Sequence, residues 1–133
     1  MAIPASTEAL RSSDARRLVS ELGTIPTRSW PLLIDDLLAL REFKDDWDGQ
    51  GAEAPKPGVI DAAVGLAREF QAAQVPPADH AIAGVNGTVY FEWHGTQGYL
   101  EIEVMANRTE ARAVRKGSDV TEVFALAGRS SPA

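Results

Sequence analysis

Cysteine is absent from all 133 residues, which excludes disulfide scaffolding, thiolate catalysis and every cysteine-ligated metal site. Histidine is nearly absent too. With only His80 and His94, a histidine-rich metal centre cannot be assembled, and no metal or cofactor is expected. No stretch approaches the roughly 18 uninterrupted apolar residues of a membrane-spanning helix, and Met1 to Ser13 lack the basic leader and apolar run of an export signal. No membrane association and a cytoplasmic location are the expectation.

Positive charge is also in short supply. Thirteen basic residues stand against nineteen acidic ones, a formal charge of −6, so a phosphate backbone would be repelled unless the basic groups shared one face. Arg108, Arg112, Arg115 and Lys116 form the densest basic group, but Glu110 interrupts it. That pattern reads as the polar face of a strand rather than a nucleic-acid footprint. A basic protein partner suits the charge better. Glycine-rich phosphate loops are missing as well: Gly49-Gln50-Gly51 has neither a third glycine nor a preceding strand.

What the chain does have is a normal apolar fraction, 44% against 24% charged, and enough length for one core. A single domain over 1–127 is expected, with a weakly ordered helix and linker over 1–28, a helical part over 29–74, an antiparallel sheet over 79–127 and a disordered tail over 128–133.

Thr7 to Leu22 carries a moderate helical pattern through Leu10, Leu18, Val19 and Leu22, ended by Gly23 and Pro26. From Trp30, the residues Leu33, Ile34, Leu37 and Leu38 line one helical face, with Ser29 as a cap and Pro31 tolerated in the first turn. A third helix begins at Pro57, repeats through Ile60, Ala63, Val64, Ala67 and Phe70, and breaks at Val75-Pro76-Pro77.

Beyond His80 the period becomes two. Val89, Phe91 and Trp93 alternate with Tyr90 and Glu92, and Leu100, Ile102 and Val104 alternate with Glu101 and Glu103. Turn chemistry at Asn86-Gly87, His94 to Gly98, Asn107-Arg108 and Lys116 to Asp119 separates the runs. The expected fold is therefore α+β: two or three N-terminal helices packed on one face of a four- or five-stranded antiparallel meander. Its open edge would allow a homodimer.

The most specified stretch is Trp47-Asp48-Gly49-Gln50-Gly51-Ala52-Glu53-Ala54-Pro55. Gly49 and Gly51 permit left-handed backbone, Asp48 can bond its own backbone, Trp47 can anchor the loop, and Pro55 closes it. A calcium loop starting at Asp46 fails at its twelfth position, where Pro57 stands in place of glutamate. The turn reads as architecture.

Glu92 and His94 share a strand face with Tyr90, and Glu101 and Glu103 can join them across a hairpin. No nucleophile stands beside them, so no catalytic residue is assigned. The candidate binding residues are Trp47, Asp48, Tyr90, Glu92, His94, Glu101 and Glu103. They point to a non-enzymatic protein-binding module acting through an acidic face. The alternative is a small enzyme or ligand-binding protein with a pocket between the Trp47 turn and the sheet.

Trp47-Asp48-Gly49-x-Gly51-Ala52-x-x-Pro55 and the later Val89-Tyr90-Phe91-Glu92-Trp93 resemble a group of small uncharacterised bacterial proteins that share a W-D-G-x-G-A-x-x-P turn and an aromatic E-W strand. The resemblance spans roughly 30–104 and implies an operon-encoded partner, with an antitoxin-like or immunity-like role.

Overall fold

The computed structural model describes residues 9–126. Their order is β1 (Ala9–Leu10), α1 (Ser12–Glu21), α2 (Trp30–Ala39), a 3-10 turn (Leu40–Glu42), α3 (Pro57–Ala72), β2 (His80–Ala83), β3 (Val89–Gly95), β4 (Gly98–Val104), β5 (Thr109–Arg115) and β6 (Thr121–Leu126).

The α+β class holds, but the sheet differs from a four- or five-stranded antiparallel meander. It has six strands in the order β1-β6-β5-β4-β3-β2, and β1 pairs in parallel with β6, Leu10 lying beside Leu126. Two residues carry no readable period, so Leu10 looks like the start of the following helix. In fact Asp14 accepts a hydrogen bond from the Arg11 backbone N–H at 3.1 Å, and the helix begins at Ser12. Leu10 is spent on the sheet, where it is buried. The stretch over 128–133 lies outside the described residues.

Two helices follow from their termini. Ser29 accepts from the Leu32 N–H at the start of α2, with Pro31 in the first turn. At the end of α3, Gln74 takes a left-handed φ of 62°. The Val75 N–H then reaches back to the Phe70 carbonyl at 2.9 Å and the Gln74 N–H to that of Gln71 at 3.1 Å. This is the pairing of a Schellman exit, with glutamine where glycine is usual.

The exit carbonyls are caught by indoles from elsewhere. Trp30 Nε1 donates to the Val75 carbonyl at 2.7 Å and Trp93 Nε1 to that of Pro76 at 2.9 Å. Both rings meet Phe70 at centroid distances of 6.0 and 6.2 Å. The proline break after α3 is thus fixed to the centre of the core.

One sheet face is apolar and buried: Val89, Phe91, Trp93, Leu100, Ile102, Val104, Ala111 and Ala113. α3 covers β3 and β4 on this side, and α2 packs on α3 and β2. α1 adds Ala15, Leu18 and Val19 to the same core. Its end crosses the β3–β4 hairpin closely enough that a Cβ on Gly95 would sit 2.0 Å from the Leu22 carbonyl oxygen. Only glycine fits there.

Candidate functional site

The Trp47 turn is a closed hydrogen-bonded unit. Asp48 Oδ1 accepts from the Gln50 and Ala52 amides at 2.8 and 3.1 Å, Asp46 Oδ1 from Gly51 at 2.7 Å, and Asp45 Oδ1 from Ala54 at 3.0 Å. Trp47 Nε1 donates to the Glu53 carbonyl at 3.0 Å, and its ring lies 5.1 Å from Phe43. Left-handed φ values occur at Asp46, Gly49 and Gly51. Glu53 bonds the Val85 carbonyl at 2.9 Å, fastening the turn to the β2–β3 connection, and Pro55 is buried.

The carboxylates before the glycines are therefore spent on backbone amides. Among the described residues no group of three or more histidine, aspartate or glutamate side chains is placed to hold a metal ion. The Gln50 amide, followed by that of Ala52, holds the Asp48 carboxyl below its ordinary value. Such a group stabilises the fold above its unfolded pKa and loses that contribution as pH falls through the folded one. Asp48→Ala is expected to lower the melting temperature at neutral pH, with the deficit shrinking at about pH 3. Thermal unfolding at both pH values checks this; a deficit that is the same at both would sink the assignment.

On the sheet, the polar residues gather on the face opposite the helices. Register places His80, Glu92, Glu101, Arg112 and Val123 in one row across β2 to β6, with Ile82, Tyr90, Glu103, Glu110 and Ala125 beside it. A third row holds His94, Tyr99, Val114 and Thr121. Tyr90, Glu92, His94, Glu101 and Glu103 are thus brought together. Trp47 and Asp48 do not join them, because their partners lie within their own turn. The groove shared by His80 and His94 is lined by Gly23, Ile25, Thr27 and Asp79, not by the Trp47 turn.

Arg112 organises this face. Its guanidinium bonds Glu101 at 2.9 Å, Glu103 at 2.7 Å and Glu110 at 2.5 Å. Burial disfavours its charge, but the bonds to Glu103 and Glu101 outweigh that and raise its pKa. Burial likewise pushes Glu103 up, while hydrogen bonds from Arg112 first and then from Thr88 and Tyr90 together reverse it and hold that carboxyl below its ordinary value. The Tyr99 hydroxyl donates to Glu101 at 2.8 Å. Burial first and Glu101 second raise its pKa, so it stays a neutral donor. Tyr90 is raised by burial and then by Glu103.

Glu92 stands apart. It is half-buried, and among the described residues its ion-pair partner is His94, whose Nε2 lies 3.5 Å away. His94 also meets the Tyr99 ring at 4.8 Å and the His80 ring at 6.2 Å. The sequence reading missed Tyr99, Glu110 and Arg112 as members of this face. The period of two that placed Glu101 and Glu103 also places Tyr99, and the register of β4 with β5 supplies the others.

The basic residues near the end of the sheet are matched as well. Arg108 faces Glu110 at 3.7 Å, and Arg115 bonds Glu122 at 3.1 Å and Glu21 at 3.2 Å. They make no common positive surface. Chemically, the face offers fixed carboxylates and tyrosine hydroxyls, without a nucleophile poised against a base.

No family model matches the chain, and neither curated proteins nor solved structures give a significant match. No helix among the described residues is long and apolar enough to cross a membrane.

Proposed function

We propose that this protein is a non-enzymatic binding module that neutralises or regulates a basic protein partner through the outer face of its sheet. One observation carries the reading. Glu92, Glu101, Glu103 and Glu110 share that face with a single enclosed arginine, Arg112, and with two tyrosines. The packed helices all lie on the other side.

A face with surplus negative charge speeds encounter with a positive surface, and tyrosine is enriched where interfaces form. Hydrogen bonds already hold Tyr99, Glu101, Glu103 and Arg112 in place, so little side-chain freedom remains to be lost on binding. Glu92 is the one of these four glutamates that no arginine pairs among the described residues, which leaves its charge for a partner's lysine or arginine. The resemblance in the Trp47 turn and the E-W strand adds that the partner is encoded in the same operon, with an antitoxin-like or immunity-like pairing.

Coexpression with the products of flanking genes, followed by copurification, tests this. A basic partner should be retained, and retention should weaken with salt. Glu92→Lys should lower affinity at least tenfold, about 1.4 kcal/mol, without unfolding the chain. A partner held equally well by wild type and Glu92→Lys would refute the outer face as the binding surface.

A further inference from the structure

The sheet ends differently at its two sides. On one side the edge strand is β1, of two residues; on the other it is β2, where among the described residues no strand pairs beyond it. β2 reads His80-Ala81-Ile82-Ala83, with no lysine, glutamate, proline or glycine to block pairing. Among the described residues, four of the six exposed large apolar side chains are Ile82 in β2, Val85 just beyond it, Ile25 in the groove beside His80, and Leu32 on α2, which packs on β2, exposed by 42, 58, 75 and 49%. A groove of about 360 Å³ beside β2 is lined by Thr27, Arg28 and Asp36 and by Asp79, His80, Ala81 and Ile82.

We infer that this edge pairs two copies of the chain, with β2 of one lying antiparallel to β2 of its partner and the two α2 helices meeting beneath. The choice of a second copy rests on self-complementarity. Arg28, Leu32 and Asp36 lie four residues apart in succession, and Arg28 reaches both the Leu32 carbonyl and the Asp36 carboxylate. An antiparallel two-fold centred on Leu32 sets leucine against leucine and each Arg28 against the partner's Asp36. An isologous interface requires that a surface match its own inverse, and this stripe does.

Two copies with a formal charge of −6 each repel, and the groove beside β2, which carries Asp36 and Asp79 as well as Arg28, lets each arginine answer the partner's carboxylates. The pairing leaves the outer face open, so it stands apart from the partner-binding reading.

Sedimentation equilibrium of the full chain, from micromolar to millimolar concentration, tests the inference. The expected mass is twice the 14.3 kDa of one chain. Leu32→Glu and Ile82→Lys, both at exposed positions, should each weaken the dimer at least tenfold while circular dichroism stays unchanged. Arg28→Asp should weaken it too, and adding Asp36→Arg should restore it. A chain that remains monomeric at millimolar concentration overturns the inference. A dimer indifferent to both Leu32→Glu and Ile82→Lys overturns it equally.

Discussion

Trp93→Ala is expected to cost about 3–5 kcal/mol of folding stability, a large share of the roughly 5–15 kcal/mol available to a domain. Trp93 is fully buried and packs against Trp30, Phe70 and Phe91 at centroid distances of 6.2 to 6.3 Å. Truncation removes that packing and opens a cavity between α3 and the sheet. It also frees the Pro76 carbonyl. Trp30→Phe separates the two effects: it keeps an aromatic ring but strands the buried Val75 carbonyl, for an expected loss of about 1–3 kcal/mol. Urea unfolding of both variants measures the two costs. If Trp30→Phe were neutral, the indole bonds would not be what fixes the chain after α3.

That junction shows what a sequence can and cannot reveal. The helical spacing from Trp30 to Leu38 and from Ile60 to Phe70 is local, and so is the alternation from Val89 to Val104; each survives into the structure as a buried face. Val75-Pro76-Pro77 announces a break. Which groups satisfy its carbonyls is set by Trp30 and Trp93, which are 45 and 17 residues away from their acceptors, and no local pattern encodes that. The same holds for β1: Ala9 and Leu10 become a strand only because residues 125 and 126 lie beside them.

The candidate face was legible in the same uneven way. Alternation alone placed Tyr90, Glu92 and His94 together, and with the hairpin it added Glu101 and Glu103. The alternation of Arg108, Glu110 and Arg112 reads as the polar face of a strand, but which charges that face meets is not local. Strand register supplies the partners. It sets Arg112 opposite Glu101 and one row from Glu103 and Glu110, making it the counter-charge of an acidic face. Asp45 and Asp46 were likewise underrated. Beside Asp48 they tie four amides of the turn, although only Asp48 has the adjacent glycine that signals the role.

Arg112→Gln should therefore change not only stability but the sign of its dependence on pH. In the wild type, Glu103 sits below its ordinary value of 4.5, so its contribution is present at neutral pH and fades as pH falls through the lowered pKa. Without the guanidinium, burial and the neighbouring charges of Glu101 and Glu110, which push carboxyl pKa values up, are opposed only by the hydrogen bonds from Thr88 and Tyr90. A group whose folded pKa lies above its unfolded one gains stability as it protonates. The variant is expected to lose about 1–3 kcal/mol at pH 7, through lost charge-assisted hydrogen bonds and unrelieved repulsion. Part of that loss should return on acidification to about pH 5, whereas the wild type should not become more stable over the same interval. Chemical denaturation of both proteins at the two pH values decides the matter. An equal deficit at pH 7 and pH 5 would mean that the three glutamates are not coupled through Arg112, and the acidic face would lose the organising charge on which its rigidity depends.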